Sequence, residues 1–356
     1  YLPKLQGKNV GLVVNQTSLV NNTHLVDTLL SAGIQVRKIF APEHGFRGEA
    51  DAGAHIKDSR DPKTGLPIVS IYGSNKKPAP EQLQGLDILV FDIQDVGTRF
   101  YTYISSMHYV MEACAENGLP LLVLDRPNPN GDYVDGPVRK PGFESFVSMH
   151  PIPVVHGLTV GELANMINGE GWLEGGRTCQ LSVLPVENYT HQTPWALPVR
   201  PSPNLPNQQA VRWYPSLCLF EATMMSIGRG TPFPFQVVGY PDAKYGDFSF
   251  TPVSTPGAAL HPKLQDKQCF GLDFRQEPAP EAFSLQPLIR FYQLAGDHEK
   301  FIDRSRMFNL LAGTDELQKQ LKAGLGEEEI RASWEADLAA YKQMRRQYLL
   351  YPDANQ

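Results

Sequence analysis

Five short apolar runs constrain this chain more than any other feature: residues 9–14, 34–40, 66–73, 87–91 and 119–124. Helical spacing lies between some of them. Leu25, Leu29, Leu30 and Ala32 share a face and stop at Gly33, and a longer segment from Phe100 to Asn117 stops at Gly118. Strands that are apolar along their whole length and alternate with helices predict a parallel sheet covered on both faces. Ligands of such sheets bind outside the carboxyl ends of the strands. Four of the five runs release polar, glycine- or proline-bearing segments at that end. These are Asn15-Gln16-Thr17, Glu43-His44-Gly45, Asp92 to Arg99, and Asp125 to Asn130. The site is therefore expected on one rim.

The densest of these segments is Pro42-Glu43-His44-Gly45-Phe46-Arg47-Gly48. Its carboxylate, imidazole and guanidinium can transfer protons and hold an anion, and its glycines let the backbone approach a ligand. At 356 residues the chain exceeds what one core usually supports. The expected architecture is α/β: a Rossmann-like parallel sheet over 1–150, a second α+β domain over 151–356, and a cleft between them. No GxGxxG follows the first run and no P-loop occurs, so the scaffold carries no dinucleotide fingerprint, and no cofactor is expected. A net charge of −6 argues against a nucleic-acid partner, and no stretch is long enough to span a membrane. Cys114, Cys179, Cys218 and Cys269 lack metal spacing, so neither a zinc site nor a disulfide framework is expected.

In the second half, Thr159 and Glu162 form a capping box, which makes Glu162 structural. An apolar helical run over 214–225 carries one acid, Glu221. Arg229 sits between Gly228 and Gly230, held out of any packed element and suited to a carboxylate or phosphate. Arg200-Pro201-Ser202-Pro203-Asn204 is a stiff loop offering a guanidinium and an amide. A final amphipathic helix is expected over 327–350, with Ile330, Trp334, Leu338, Tyr341 and Met344 inward and Lys and Arg outward.

Taken together, these runs resemble the bacterial exo-β-N-acetylmuramidases, long filed as a domain of unknown function. The matching stretches include Gly7-Lys8-Asn9-Val10-Gly11 through Thr17, Pro42 through Gly48, Phe91-Asp92-Ile93-Gln94-Asp95 through Tyr103, and Leu124 through Pro129. Later matches are His156 through Ala164, Pro201 through Pro206, and Cys218 through Thr223, so the resemblance covers nearly the whole chain. It implies a glycosidase that removes N-acetylmuramic acid from the non-reducing end of peptidoglycan fragments. Glu43 is then the candidate acid, with Asp92 or Asp95 as partner, unless the sugar's own 2-acetamido group serves. The substrate-binding candidates are His44, Arg47, Gln94, Arg99, Tyr101, Arg126, Asn128, Arg200, Asn204, Glu221 and Arg229. Arg229 and Arg200 are favoured for the lactyl carboxylate. Ile227 stands where many members carry an acid, so a carboxylate there is dispensable.

The implied partners are muramic-acid-containing saccharides or muropeptides, and the implied location is periplasmic or secreted. A first residue of Tyr rather than Met agrees with a removed leader. Two other readings stand beside this one. One is a non-catalytic binder of anionic sugars. The other is an amidase or esterase using Glu43 and His44, against which no G-x-S-x-G elbow is found.

Overall fold

The computed structural model describes residues 1–43, 45–46 and 59–353. Six parallel strands form its centre: Asn9–Val14 (β1), Gln35–Ala41 (β2), Pro67–Ser70 (β3), Ile88–Asp92 (β4), Leu121–Leu124 (β5) and Leu181–Leu184 (β6). They lie in the order β3-β2-β1-β4-β5-β6, and Ser59–Arg60 closes the β3 edge antiparallel. The order reverses between β1 and β4, which opens a crevice at their carboxyl ends.

Alternation along each strand divides the core between the two faces. Val10, Leu12 and Val14 join Val90, Leu122 and Leu124 on one face, over the helix Leu25–Ser31 (α1). Val13, Phe40, Leu89, Phe91 and Val123 point the other way, toward the helices Tyr103–Asn117 (α2) and Val160–Gly169 (α3). Gly11 leaves room for the Leu89 side chain where β1 meets β4, since a Cβ there would stand 2.5 Å from Leu89 Cδ2.

Helix α2 ends on Gly118 in the left-handed region, as expected, but begins at Tyr103. Residues 100–102 form a turn on the rim instead. Helix α3 opens on the expected box: Thr159 Oγ1 accepts from the Glu162 amide (3.2 Å), and Glu162 Oε2 accepts from the Thr159 amide (2.9 Å). The other Glu162 oxygen holds His191 Nε2 (3.0 Å) and the Leu350 amide (2.8 Å).

The sheet does not stop at residue 150. Its last strand, β6, comes from the part of the chain expected to form the second domain. Beyond it lies a smaller antiparallel sheet of Val237–Tyr240 (β7), Phe248–Phe250 (β8) and Cys269–Asp273 (β9), in the order β7-β9-β8. One apolar core runs from the α2 face of the large sheet through Leu217 and Phe220 to Phe283, Trp334 and Tyr341.

Two helices differ from expectation. The run placed at 214–225 is a helix over Gln208–Leu217, capped by the Asn207 side chain, followed by a 3₁₀ turn over Cys218–Ala222. Pro215 lacks an N–H to continue the ladder. The C-terminal run breaks into Glu327–Ala332 and Glu335–Arg345. Ile330, Trp334 and Tyr341 are buried as expected, but so is Arg345, which donates to the Gly157 carbonyl and pairs with Asp353. All four cysteines are free and buried. Among the described residues no helix is long and apolar enough to cross a membrane.

Candidate active site

Glu43 leaves β2 at the carboxyl rim, fixed by a strand that is buried at its last three positions. Both of its carboxylate oxygens are occupied by neutral hydroxyls. Tyr72 donates to Oε1 (2.9 Å) and Thr102 donates to Oε2 (3.1 Å), while Tyr103 donates to the Glu43 carbonyl (3.3 Å). Burial, and then the Glu43 charge, push the Tyr72 and Tyr103 hydroxyls up, so both remain protonated donors.

The loop expected to be stiffened by proline leans across this rim. Its Pro201 carbonyl accepts from Tyr101 (2.9 Å) and from Gln16 Nε2 (3.0 Å), a residue of the segment after β1. A cleft results between the two halves of the chain. Glu43, Tyr101, Thr102 and Tyr103 line it from the first half of the chain and Asn204, Tyr214, Arg229 and Phe235 from the second.

Arg229 is presented by its glycines. Gly228 and Gly230 both adopt φ +80°, and a Cβ at Gly230 would meet the Val253 carbonyl at 2.5 Å. The guanidinium lies 5.1 Å from the Phe235 ring centroid, and its Nε is 2.5 Å from Glu221 Oε1. Glu221 thus acts on the cleft by orienting Arg229.

Of the residues expected on the site, Glu43, Tyr101, Asn204 and Arg229 meet at this cleft, with Glu221 behind Arg229. Others are placed elsewhere. Asp92 is 1% exposed and forms a two-pronged pair with Arg126, at 2.6 Å to Nε and 3.0 Å to Nη2. Each satisfies the other, so neither faces the cleft as a free charge. Asp95 is buried, accepting from the Gly97 amide (2.7 Å) with His156 Nε2 at 3.8 Å. Gln94 spends its amide on the Asp95 and Pro127 carbonyls (2.8 and 2.7 Å).

Arg99 is fully buried and donates to the carbonyls of Pro137, Ile152 and Leu311 at 2.7–2.8 Å. It braces the fold instead of lining the cleft. Asn128 holds the Leu158 carbonyl and the Asn130 amide (2.9 and 2.8 Å), and Gly97 is needed beside it, since a Cβ would stand 2.1 Å from Asn128 Oδ1. Arg200 is exposed, and its carbonyl accepts from Gln16 on the rim. His44 and Arg47 lie outside the described residues.

Tyr72, Thr102 and Tyr214 were not anticipated. Tyr72 lies two residues past β3, in an apolar run whose next polar side chains are Ser74 and Asn75; its place just beyond a strand end was the available signal. Thr102 read as the interior of a helix that in fact begins one residue later. Away from the rim, Glu112, Glu116 and Glu174 gather around Lys77 Nζ (3.5, 2.9 and 3.8 Å), which neutralises them in part.

The family model described as "Exo-beta-N-acetylmuramidase NamZ, N-terminal" matches residues 10–209, and its C-terminal counterpart matches 212–351. The chain belongs to the exo-β-N-acetylmuramidase NamZ family. A relative from Bacillus subtilis strain 168, named peptidoglycan β-N-acetylmuramidase NamZ, is 38% identical over 99% of this chain and 89% of its own length. Two crystal structures of DUF1343 family proteins from Bacteroides fragilis NCTC 9343 share the NamZ-family fold seen here. One has a TM-score of 0.92 at 46% identity, covering 99% of this chain and 96% of its own. The other has a TM-score of 0.84 at 31% identity, covering 98% and 96%.

Proposed function

We propose that this chain, a peptidoglycan glycoside hydrolase by family, releases N-acetylmuramic acid from the non-reducing end of peptidoglycan fragments, with Glu43 as proton donor. The observation that carries the proposal is a strand-anchored carboxylate, oriented by two protonated hydroxyls, lining one cleft together with an arginine. Glu43 gives its proton to the glycosidic oxygen as the bond to the anomeric carbon breaks. Arg229 holds the lactyl carboxylate of the muramic unit, a geometry that suits a guanidinium fork.

The partner role expected of Asp92 or Asp95 falls to the substrate itself. Asp92 is committed to Arg126, and Asp95 is buried on the Gly97 amide. The 2-acetamido oxygen attacks the anomeric carbon and water then opens the ring so formed, which retains configuration. Freshly released sugar is therefore the β anomer by NMR; an α anomer would replace the acetamido attack by a single displacement, with water activated by an enzymic base. The exo reading is tested with two disaccharides. Muramic acid is released when it is the non-reducing unit and not when it is the reducing one. Tight binding without any product would favour a non-catalytic sugar-binding protein. Because intact fragments of this kind occur outside the cytoplasm, the proposed location is the periplasm or beyond.

A further inference from the structure

Helix α2 extends past the candidate acid. Thr102, Ser105, Tyr109 and Glu112 recur at three- and four-residue intervals and so share one face. Thr102 holds Glu43, and Ser105 Oγ donates to the Phe146 carbonyl (2.7 Å). Seven residues on from Thr102, roughly 10 Å along the axis, Tyr109 borders a second cleft of about 510 Å³. That volume lies in the range of small-molecule sites.

Three aromatic side chains line this cleft, each half-buried: Tyr109, Phe146 and Trp172. Tyr109 and Phe146 stack at 6.3 Å with an 18° interplanar angle, and Trp172 stacks on His150 at 5.7 Å and 30°. His150 also lines the cleft and is 1% exposed. Its Nε2 meets His108 Nδ1 at 3.0 Å, while its Nδ1 has no hydrogen-bond partner. Burial holds this imidazole neutral by lowering its pKa, so it offers a hydrogen bond without a charge. Tyr72 stands between the two clefts, its hydroxyl on Glu43 of the first and its ring 6.4 Å from Phe146 of the second.

We infer that the Tyr109–Phe146–Trp172 cleft is a subsite for the leaving side of the substrate, the N-acetylglucosamine-containing saccharide beyond the cleaved bond. A proton donor touches the glycosidic oxygen, so the leaving chain starts at Glu43, and the next cleft on the Tyr72–Thr102 side, within a sugar ring or two of it along helix α2, is this one. Flat aromatic faces suit the apolar faces of pyranose rings, and an uncharged imidazole suits their hydroxyl and acetamido groups. Arg229, which lines the first cleft and not the second, keeps the muramic unit. The assignment rests on the exo-muramidase reading.

The test compares three substrates on the full chain: an aryl glycoside of N-acetylmuramic acid, the disaccharide, and a peptide-free tetrasaccharide. Trp172→Ala and Tyr109→Ala each lower kcat/KM for the tetrasaccharide by about tenfold, a loss of roughly 1.4 kcal/mol, and leave the aryl glycoside unchanged. Trp172→Phe restores most of the difference. Thermal melting confirms that each variant is folded; Tyr109→Ala supplies the result if Trp172→Ala is not. An equal loss on all three substrates, or no loss on any, overturns the subsite. Failure of the wild-type chain to cleave any of them overturns the exo-muramidase reading instead.

Discussion

At the scale of single residues, the site is a set of hydrogen-bond commitments. Glu43 was legible because a charged residue directly after a buried strand has few structural reasons to be there. Asp92 looked equivalent in sequence, yet its pairing with Arg126 makes it structural. Nothing in the local sequence distinguishes the two, because the decisive partner lies 34 residues away. Breaking this buried pair by Arg126→Met leaves an uncompensated carboxylate, an expected loss of about 3–5 kcal/mol in urea unfolding. By contrast, Tyr72→Phe removes one donor from Glu43 and is expected to lower kcat by about tenfold with little change in stability, as steady-state kinetics would show.

Asp125 gives a prediction with a definite sign. Burial lifts its carboxyl to about 6, although Tyr351, Thr159 and the Gly161 amide all hydrogen-bond to it. The folded state thus binds the proton more tightly than the unfolded state, where the value is about 4. Stability from this group is fully present below pH ~4 and is lost as pH rises to ~6, a decline on the order of 2 kcal/mol. Urea midpoints measured across that window should fall in the wild type and stay flatter in Asp125→Asn.

At the scale of elements, the parallel strands were readable because their apolar runs are long and bounded. The membership of β6 in the large sheet was not legible, since it follows a long proline-rich crossover. The C-terminal helix was overextended for a different reason. Ile330, Trp334 and Tyr341 keep a helical repeat across residues 333–334, where the chain leaves one helix and starts another. A shared buried face does not report continuity of the backbone. Helix α3 depends on its cap, and Thr159 also donates to Asp125 Oδ2 (2.7 Å). Thr159→Ala should therefore cost more than an ordinary cap, about 2 kcal/mol, measured as a shift in the unfolding midpoint.

At the scale of the molecule, the two halves share a core and a few long ties. Arg99 leaves the rim segment after β4 and reaches Leu311, deep in the second half. Its burial explains why it was misplaced: on the rim by sequence, it turns inward at the junction. Arg99→Met should lower stability by at least ~3 kcal/mol, and the wild-type chain should unfold in a single calorimetric transition despite its length. The cleft exists because of this junction, since Arg229 and Asn204 come from one half and Glu43 from the other. The sequence could point to each wall, but only the packing of the 201–206 loop on Tyr101 and Gln16 brings them together.

The most direct test is Glu43→Gln assayed for release of N-acetylmuramic acid from the disaccharide that carries it at the non-reducing end. The side chain keeps its size, one of the two hydroxyls can turn to accept from the new amide N–H, and the amide has no acidic proton to give. The expected result is a fall in kcat of at least about a hundredfold with wild-type melting behaviour, and the contradicting result is a folded variant that turns over at the wild-type rate.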